Sequence, residues 1–232
     1  MNQHGGEQAK VRLAAVGLDS TRPWDFPHAR ILLFAKAPVA GQVKTRMMPA
    51  LGAEGAARLH ERLLRETTER VSTTIAPVEL WCAPDTGHRL FDELAEMHGL
   101  RLHRQFGRDL GERLLAASAD ALRRAQVVVL IGSDCPELDA GYVARALFLL
   151  QTQPLDAVLG PAADGGYVLL ALRRAEPALF TQMPWGGDRV AAITRERMAA
   201  LDWRWQELPV LRDVDRPQDL SWYKSLHPQS VS

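Results

Sequence analysis

Residues 127–138 read VVVLIGSDCPEL: an unbroken apolar run from Val127 to Ile131, then Gly132, a lone carboxylate at Asp134 and a proline at 136. A short aliphatic run bounded by turn residues predicts a strand buried on both faces, the hallmark of a parallel sheet covered by helices. Asp139 is a helix N-cap residue type, and a helix over residues 140–151 is expected behind it. The strand therefore feeds a loop and then a helix. A charged side chain at the end of such a strand gains nothing from burial and needs a partner.

The same alternation extends in both directions. Residues 30–35 (RILLFA), 77–82 (PVELWC) and 100–106 (LRLHRQF) read as strands, as do 156–160, 166–172 and 203–210. Helices are expected over residues 51–75, where Leu59, Leu63, Leu64, Thr67 and Val71 share a face, and over 88–98, with Leu90, Phe91, Leu94 and Met97 inward and Gly99 closing the helix. Further helices are expected over 110–125, with Leu114, Ser118, Ala121 and Leu122 on one face, over 188–201, and after the segment DVDRPQDL. Strands alternating with helices predict one α/β domain with a mostly parallel central sheet. In such sheets ligands bind outside the carboxyl ends of the strands.

Bulk properties narrow the function. The chain has 232 residues, suited to one large domain, with 47% apolar and 24% charged residues. Lys plus Arg and Asp plus Glu are both 28, so nothing global points to nucleic acid or an anionic membrane. The two cysteines make no disulfide framework, and the seven histidines show no metal-type spacing. No apolar run approaches the roughly 20 residues that span a bilayer. Residues 1–28 lack a signal-peptide pattern and read as a polar extension, partly disordered. Residues 29–226 form the expected domain, residues 227–232 a tail, and the cytoplasm is the expected compartment.

Four polar segments follow predicted strands. KAPVAGQVKTRM (residues 36–47) carries Gly41 with Lys36, Lys44 and Arg46. A loop leaving a strand and entering a helix, with added cations, suits phosphate, though it is also what a basic surface turn looks like. It is neither a Walker A loop nor a Gly-x-Gly-x-x-Gly loop. Asp134 is placed either to hold a divalent cation or to serve as a capping or ion-paired aspartate. Asp164 in PAADGGY (residues 161–167) either shapes a tight turn or presents a carboxylate to an acceptor hydroxyl. In DVDRPQDL, Asp213 and Asp215 fall on one side of an extended segment, and Asp219 suits the first turn of the following helix. In QFGRDLGER (residues 105–113), Gly107 and Gly111 permit close approach of a flat base, or belong to a strand–helix loop capped by Asp109. Trp185 suits stacking on a sugar or base and equally a packed aromatic. Cys135 has no histidine placed beside it by the sequence.

Taken in order, AKAPVAGQVKTRM, QFGRDLGERL, VLIGSDCPEL, GPAADGGYVLLAL, MPWGGDRV and DVDRPQDL resemble bacterial GT-A-type nucleotide-diphospho-sugar transferases. The nearest group is the glycosyltransferases linked to radical-SAM/selenodomain proteins and arsenosugar biosynthesis. Lys44-Thr45-Arg46 and Asp134-Cys135-Pro136 are more distantly similar to phospholactate and molybdenum-cofactor guanylyltransferases. The resemblance covers about residues 30–225. It implies a Rossmann-like GT-A fold, Mg²⁺ or Mn²⁺ on the nucleotide's phosphates, and a metal-dependent glycosyltransferase using a nucleotide-diphospho-sugar and a small-molecule acceptor. The alternative is a nucleotidyltransferase using a nucleoside triphosphate. By the resemblance Lys44 and Arg46 serve the nucleotide's phosphates, and Asp134 and Asp215 the metal. From the segments themselves, Lys36 and Gly41 join the phosphate loop, Gly107, Gly111 and Arg113 are expected at the nucleotide, Gly165, Gly166, Tyr167 and Trp185 at the substrate, and Asp164 is the candidate general base. Arg216 departs from the pattern, standing where Thr is common, and Trp185-Gly186-Gly187 stands where Trp-Ser-Thr is common.

Overall fold

The computed structural model describes residues 24–226. The strands are β1 (Ala29–Lys36), β2 (Val78–Ala83), β3 (Arg101–Arg104), β4 (Val127–Ile131), β5 (Ala157–Pro161), β6 (Tyr167–Leu172) and β7 (Trp205–Glu207). The helices are α1 (Met48–Val71), α2 (Arg89–His98), α3 (Leu110–Leu122), α4 (Ala140–Thr152), α5 (Pro177–Phe180), α6 (Val190–Ala200) and α7 (Asp219–Leu226), with a 3-10 turn over Thr45–Met47 before α1. The strands form one seven-stranded sheet in the order β3-β2-β1-β4-β6-β5-β7. It is parallel except for β6, which runs antiparallel to both β4 and β5.

Period-two alternation of the strands divides the core. Ile31, Leu33, Leu80, Val129, Ile131 and Ala171 pack under α1, α2 and α4. Leu32, Trp81, Val128, Leu130, Leu159 and Leu170 pack under α3, α5 and α6. Both faces are buried, which is why the central strands read as continuous apolar runs. A smaller cluster of Met47, Leu59, Leu63, Val214 and Tyr223 docks α7 onto α1. The fold is a single Rossmann-like α/β domain.

Topology gathers the polar loops at one end. β1 lies between β2 and β4, and the order of the chain reverses between β1 and β4. That switch point opens a crevice at the carboxyl ends of the two strands, where residues 36–47 and 132–138 begin. β5 and β6 are antiparallel neighbours, so the short turn through residues 162–166 suffices to join them. β5 is parallel to β7, so that turn and the segment after β7 emerge at the same end.

Element bounds shift slightly from the sequence expectation. The first long helix begins earlier, at Met48 next to Pro49, and breaks its helical geometry at Gly52. Its last turn stops at Val71, before Ser72-Thr73-Thr74, where Thr73 Oγ1 accepts from the Ile75 backbone N–H at 3.4 Å. Met97 faces solvent at 70% exposure rather than inward, because α2 is covered only along Leu90, Phe91 and Leu94. The short α5 and the 3-10 turn are too brief for periodicity to reveal. Asp109 and Asp139 do cap α3 and α4, accepting from the backbone N–H of Glu112 and Tyr142.

One charge lies deep in the sheet. Glu79 of β2 is 2% exposed and accepts both its hydrogen bonds from Arg124 Nη2, at 2.8 and 2.9 Å. Arg30 and His103 stand farther off, at 3.9 and 3.6 Å.

Candidate active site

Lys44 joins the loops that follow β1, β4 and β7. It sits in a left-handed conformation (φ 48°, ψ 41°) at the start of the 3-10 turn, which turns its side chain inward to 3% exposure. Its Nζ donates to the Val214 carbonyl at 2.5 Å and pairs with Asp134 Oδ2 at 2.9 Å. Val214 N in turn donates to the Asp134 carbonyl at 2.8 Å. His60 of α1 lies behind. Its Nε2 is 3.0 Å from the Lys36 carbonyl, an acceptor, so Nε2 carries the proton, and Nδ1 faces Asp134 Oδ1 at 3.9 Å. Burial works to raise the Asp134 pKa, but the charges of Lys44 and His60 and the Lys44 hydrogen bond outweigh it and hold the carboxyl below its ordinary value. Burial lowers the His60 pKa against the attraction of Asp134.

Arg46 makes a second bridge. Its Nη1 pairs with Asp215 at 2.6 Å and its Nη2 donates to the Gly186 carbonyl at 3.1 Å. The Asp215 hydrogen bond raises the Arg46 pKa. Unlike Lys44, Arg46 is 48% exposed and free to exchange partners. Asp219, in the first turn of α7, shapes the segment by accepting from the backbone N–H of Asp215 and Arg216 and from Arg212 Nη2.

Asp213 is the carboxylate that site assignment from sequence passed over. Burial, then the negative charges of Asp164 and Asp134, push its pKa up to about 6. Asp164, Asp213, Asp215, Asp219, Arg212 and Arg216 all line one cleft of about 380 Å³. Among the described residues, no three His, Cys, Asp or Glu side chains converge into a ready-made metal cage. Because the folded pKa of Asp213 lies above its ordinary value of 3.8, the fold favours its protonated form. Its ionisation costs stability above about pH 6, a cost that fades as pH falls towards 3.8. Asp213→Asn is therefore expected to raise the thermal midpoint at pH 8 in EDTA, with the gain vanishing near pH 4. A pH series of melting curves checks this, and a gain of equal size at both ends would contradict it.

The turn at residues 163–166 is held by its own chemistry. Asp164 Oδ1 accepts from Gly166 N at 2.8 Å, and the Gly165 carbonyl accepts from Ala191 N at 2.9 Å. Gly165 has φ +92°, and a Cβ there would run into the Asp188 backbone. Gly165→Ala thus combines backbone strain with a collision that rigid main chain cannot relieve, and is expected to cost about 3 kcal/mol, ~10 °C in melting temperature. A midpoint within 2 °C of wild type, about half a kcal/mol, would show that the turn can shift.

The remaining expected residues lie around this centre in smaller contacts of their own. A side chain on Gly111 would strike the Phe180 carbonyl and lie 2.9 Å from Trp185 Nε1, so its smallness is used in packing α3 against α5. Trp185 meets Tyr167 edge-on at 6.4 Å between ring centres. Arg113 Nε donates to the Gly107 carbonyl at 3.0 Å. Gln105, not anticipated, is buried and ties the ends of β1 and β2 through the carbonyls of Ala35 and Trp81. Lys36, the last residue of β1, and Gly41, on the loop after it, are exposed. Lys44, Arg46, Asp134, Asp164 and Asp215 therefore converge, whereas Gly107 and Arg113 bond each other where the loop after β3 enters α3, and Gly111 packs against Phe180 and Trp185. Cys135 is buried, and burial pushes its thiol up to about 12, which leaves no thiolate nucleophile. His60 and Asp213 had faint signals: His60 shares the buried stripe with Leu64 and Thr67, and Asp213 alternates with Asp215.

Residues 64–187 match the family described as "Uncharacterized protein conserved in bacteria (DUF2064)". The chain is 32% identical over 217 residues to a 3-phospho-D-glycerate guanylyltransferase of Phenylobacterium zucineum (strain HLK1), covering 93% of this chain and 84% of that one. It is 31% identical, with a TM-score of 0.78, to the crystal structure of a protein provisionally named a nucleotide-diphospho-sugar transferase from Desulfovibrio desulfuricans G20, over 88% of this chain and 90% of that one. A cytidylyltransferase from Leptospira borgpetersenii serovar Hardjo-bovis (strain JB197) shares the fold at 17% identity and a TM-score of 0.56, over 89% of each chain. Among the described residues no helix is long and apolar enough to cross a membrane.

Proposed function

The chain belongs to the DUF2064 family of bacterial proteins, and we propose that it is a metal-dependent nucleotidyltransferase that joins a nucleoside monophosphate to a phosphorylated small acid. The observation that carries this reading is the convergence of Lys44, Arg46, Asp134, Asp213 and Asp215 on the strand-end crevice. The extended similarity to a 3-phospho-D-glycerate guanylyltransferase makes GTP and 3-phosphoglycerate the first pair to test.

An all-carboxylate donor set fits Mg²⁺ or Mn²⁺, which take one or two protein carboxylates and complete their shell with phosphate oxygens and water. Burial first, and then the negative charges of Asp164 and Asp134, raise the Asp213 pKa; that gathering of carboxylates supports a cation held by Asp134 and Asp215 with Asp213 beside them. Such an ion neutralises charge on the phosphates. Lys44, Arg46 and Lys36, with Gly41 in their loop, then bind the phosphates, and Gly107, Gly111 and Arg113 serve the nucleoside end. Gly165, Gly166, Tyr167 and Trp185 border the second substrate. An oxygen of the acid's phosphate attacks the α-phosphorus. The bond to the β-phosphate breaks, and pyrophosphate leaves. A phosphate nucleophile is already ionised at neutral pH, so Asp164 orients it and need not take its proton. We further propose that residues 29–226 are the complete catalytic domain and that the protein works in the cytoplasm. The assigned extension and tail, residues 1–28 and 227–232, fall mostly outside the described residues.

Glycosyl transfer is the second reading, in which Asp164 acts as general base on an acceptor hydroxyl and a nucleoside diphosphate leaves. It is favoured by the loop after β1, where Gly41 is the only glycine and Pro38 and Val39 take up room that a wrapped triphosphate would need. The narrower likeness to arsenosugar-type glycosyltransferases belongs with it. A panel with Mg²⁺ or Mn²⁺ separates the two. Pyrophosphate released from GTP only with 3-phosphoglycerate supports the first reading. Nucleoside diphosphate released from a nucleotide sugar replaces it with the second.

A further inference from the structure

We infer that the cleft between the turn at residues 163–166 and the segment 212–219 receives the second substrate as a small organic oxyanion, and that Arg216 is the residue that selects it. The inference rests on the nucleotidyl-transfer reading for the reaction, but the binding it describes is measurable without turnover.

The cleft walls come from residues 163–164 and 212–219, with no lining from the loops at 36–47 or 105–113. Asp215, held by Arg46 from the loop after β1, is the wall it shares with the phosphate loop. At about 380 Å³ it lies at the small end of ligand pockets, a size for a metabolite rather than a whole nucleotide.

Charge pairing inside it is uneven. Arg212 is committed: its Nη2 bonds Asp219 at 3.1 Å, and its guanidinium lies over the Trp222 ring at 4.6 Å. Asp215 is matched by Arg46. Arg216 is different. Its backbone N–H is pinned to Asp219 Oδ2 at 2.8 Å, which fixes its Cα at the cleft wall. Its exposed guanidinium pairs with no carboxylate among the described residues, although Asp164, Asp213, Asp215 and Asp219 line the same cleft. A guanidinium left unpaired beside so many aspartates offers a planar fork of donors to an incoming phosphate or carboxylate. A neutral hydroxylic acceptor would offer it only an ordinary hydrogen bond, without the charge-assisted bidentate pair. The neighbouring aspartates repel a bare anion, so the oxyanion is favoured at the fork of Arg216, with its far end towards Asp215.

The test uses the full chain and three probes, 3-phosphoglycerate, glycerol 3-phosphate and glycerate, titrated calorimetrically with Mg²⁺ into wild type, Arg216→Ala and Arg216→Lys. GTP is titrated separately into each. Loss of one charge-assisted contact is expected to weaken 3-phosphoglycerate by about 10- to 100-fold in Arg216→Ala, with partial recovery in Arg216→Lys. GTP affinity is expected to stay within about threefold. Arg216 is exposed, so melting curves should coincide. If glycerol 3-phosphate shows the same loss, the fork holds the phosphate; if only glycerate does, it holds the carboxylate. Equal binding of all probes by wild type and Arg216→Ala overturns the inference. So does an equal loss for GTP, which would make Arg216 part of the nucleotide site, and so does failure of all probes to bind wild type. Arg216-dependent binding without pyrophosphate release would uphold this inference and sink the nucleotidyl-transfer reading instead.

Discussion

Asp134→Asn is expected to lower turnover on the order of 10³-fold, the scale on which losing one charge-stabilising group acts in a preorganised site. The substitution is nearly isosteric. The new amide oxygen still accepts from Lys44, and the Lys44–Val214 link and the backbone bond from Val214 to residue 134 are untouched. What disappears is the negative charge at the end of β4, together with its capacity to ligate a divalent ion. The expected signature is therefore a collapse in rate with a melting temperature only a few degrees lower. Product release in the panel assay, set beside melting curves, checks both halves. Activity within tenfold of wild type would remove Asp134 from the metal assignment. A large fall in stability would instead mark it as a structural anchor for Lys44.

Arg124→Ala is expected to be the most destabilising single change outside the site. Glu79 is almost wholly enclosed, and both of its close hydrogen bonds come from Arg124. Truncating Arg124 leaves a carboxylate that has lost its water and keeps only the more distant Arg30 and His103. Removing one partner of a buried pair costs ~3–5 kcal/mol, and the lower end applies because Arg124 is itself 30% exposed and the Arg30 guanidinium remains near. Urea unfolding should show a loss of about 3 kcal/mol, and the double replacement Glu79→Leu with Arg124→Met should recover most of it. Because Glu79 lies on β2, away from the acidic cleft, turnover per folded molecule should change little. A loss below 1 kcal/mol would mean that water or the Arg30 guanidinium reaches Glu79.

Much of this architecture was readable from residues alone. The apolar run at β4 and the caps Asp109 and Asp139 depend on local chemistry, so strand, loop and helix could be assigned in order. The turn at Asp164-Gly165-Gly166 also announced itself, although nothing local says that β6 enters the sheet antiparallel between β4 and β5. The positions of Asp134, Asp164 and Asp215 at strand ends followed from the parallel-sheet rule. Their partners did not. Lys44 and Arg46 were expected to face phosphate; in the structure each also holds an aspartate, a pairing fixed by contacts between distant parts of the chain. The raised pKa of Asp213 arises from burial and from Asp164 and Asp134, none of which is a sequence neighbour. Gly111 illustrates the converse: its small size was visible, but the Phe180 carbonyl that demands it lies on a helix too short to anticipate.

The Lys44 bridge also governs when during synthesis the site is born. Its ammonium waits for a carbonyl 170 residues downstream. All seven strands leave the ribosome before that carbonyl does, and closing so long a loop is slow relative to local structure. A nascent or clipped chain ending before residue 212 thus has every strand of its sheet yet lacks Asp213, Asp215 and the anchor for Lys44. Only a chain that has been made past Asp219 owns every residue of the crevice, so the site is assembled after the sheet that carries it.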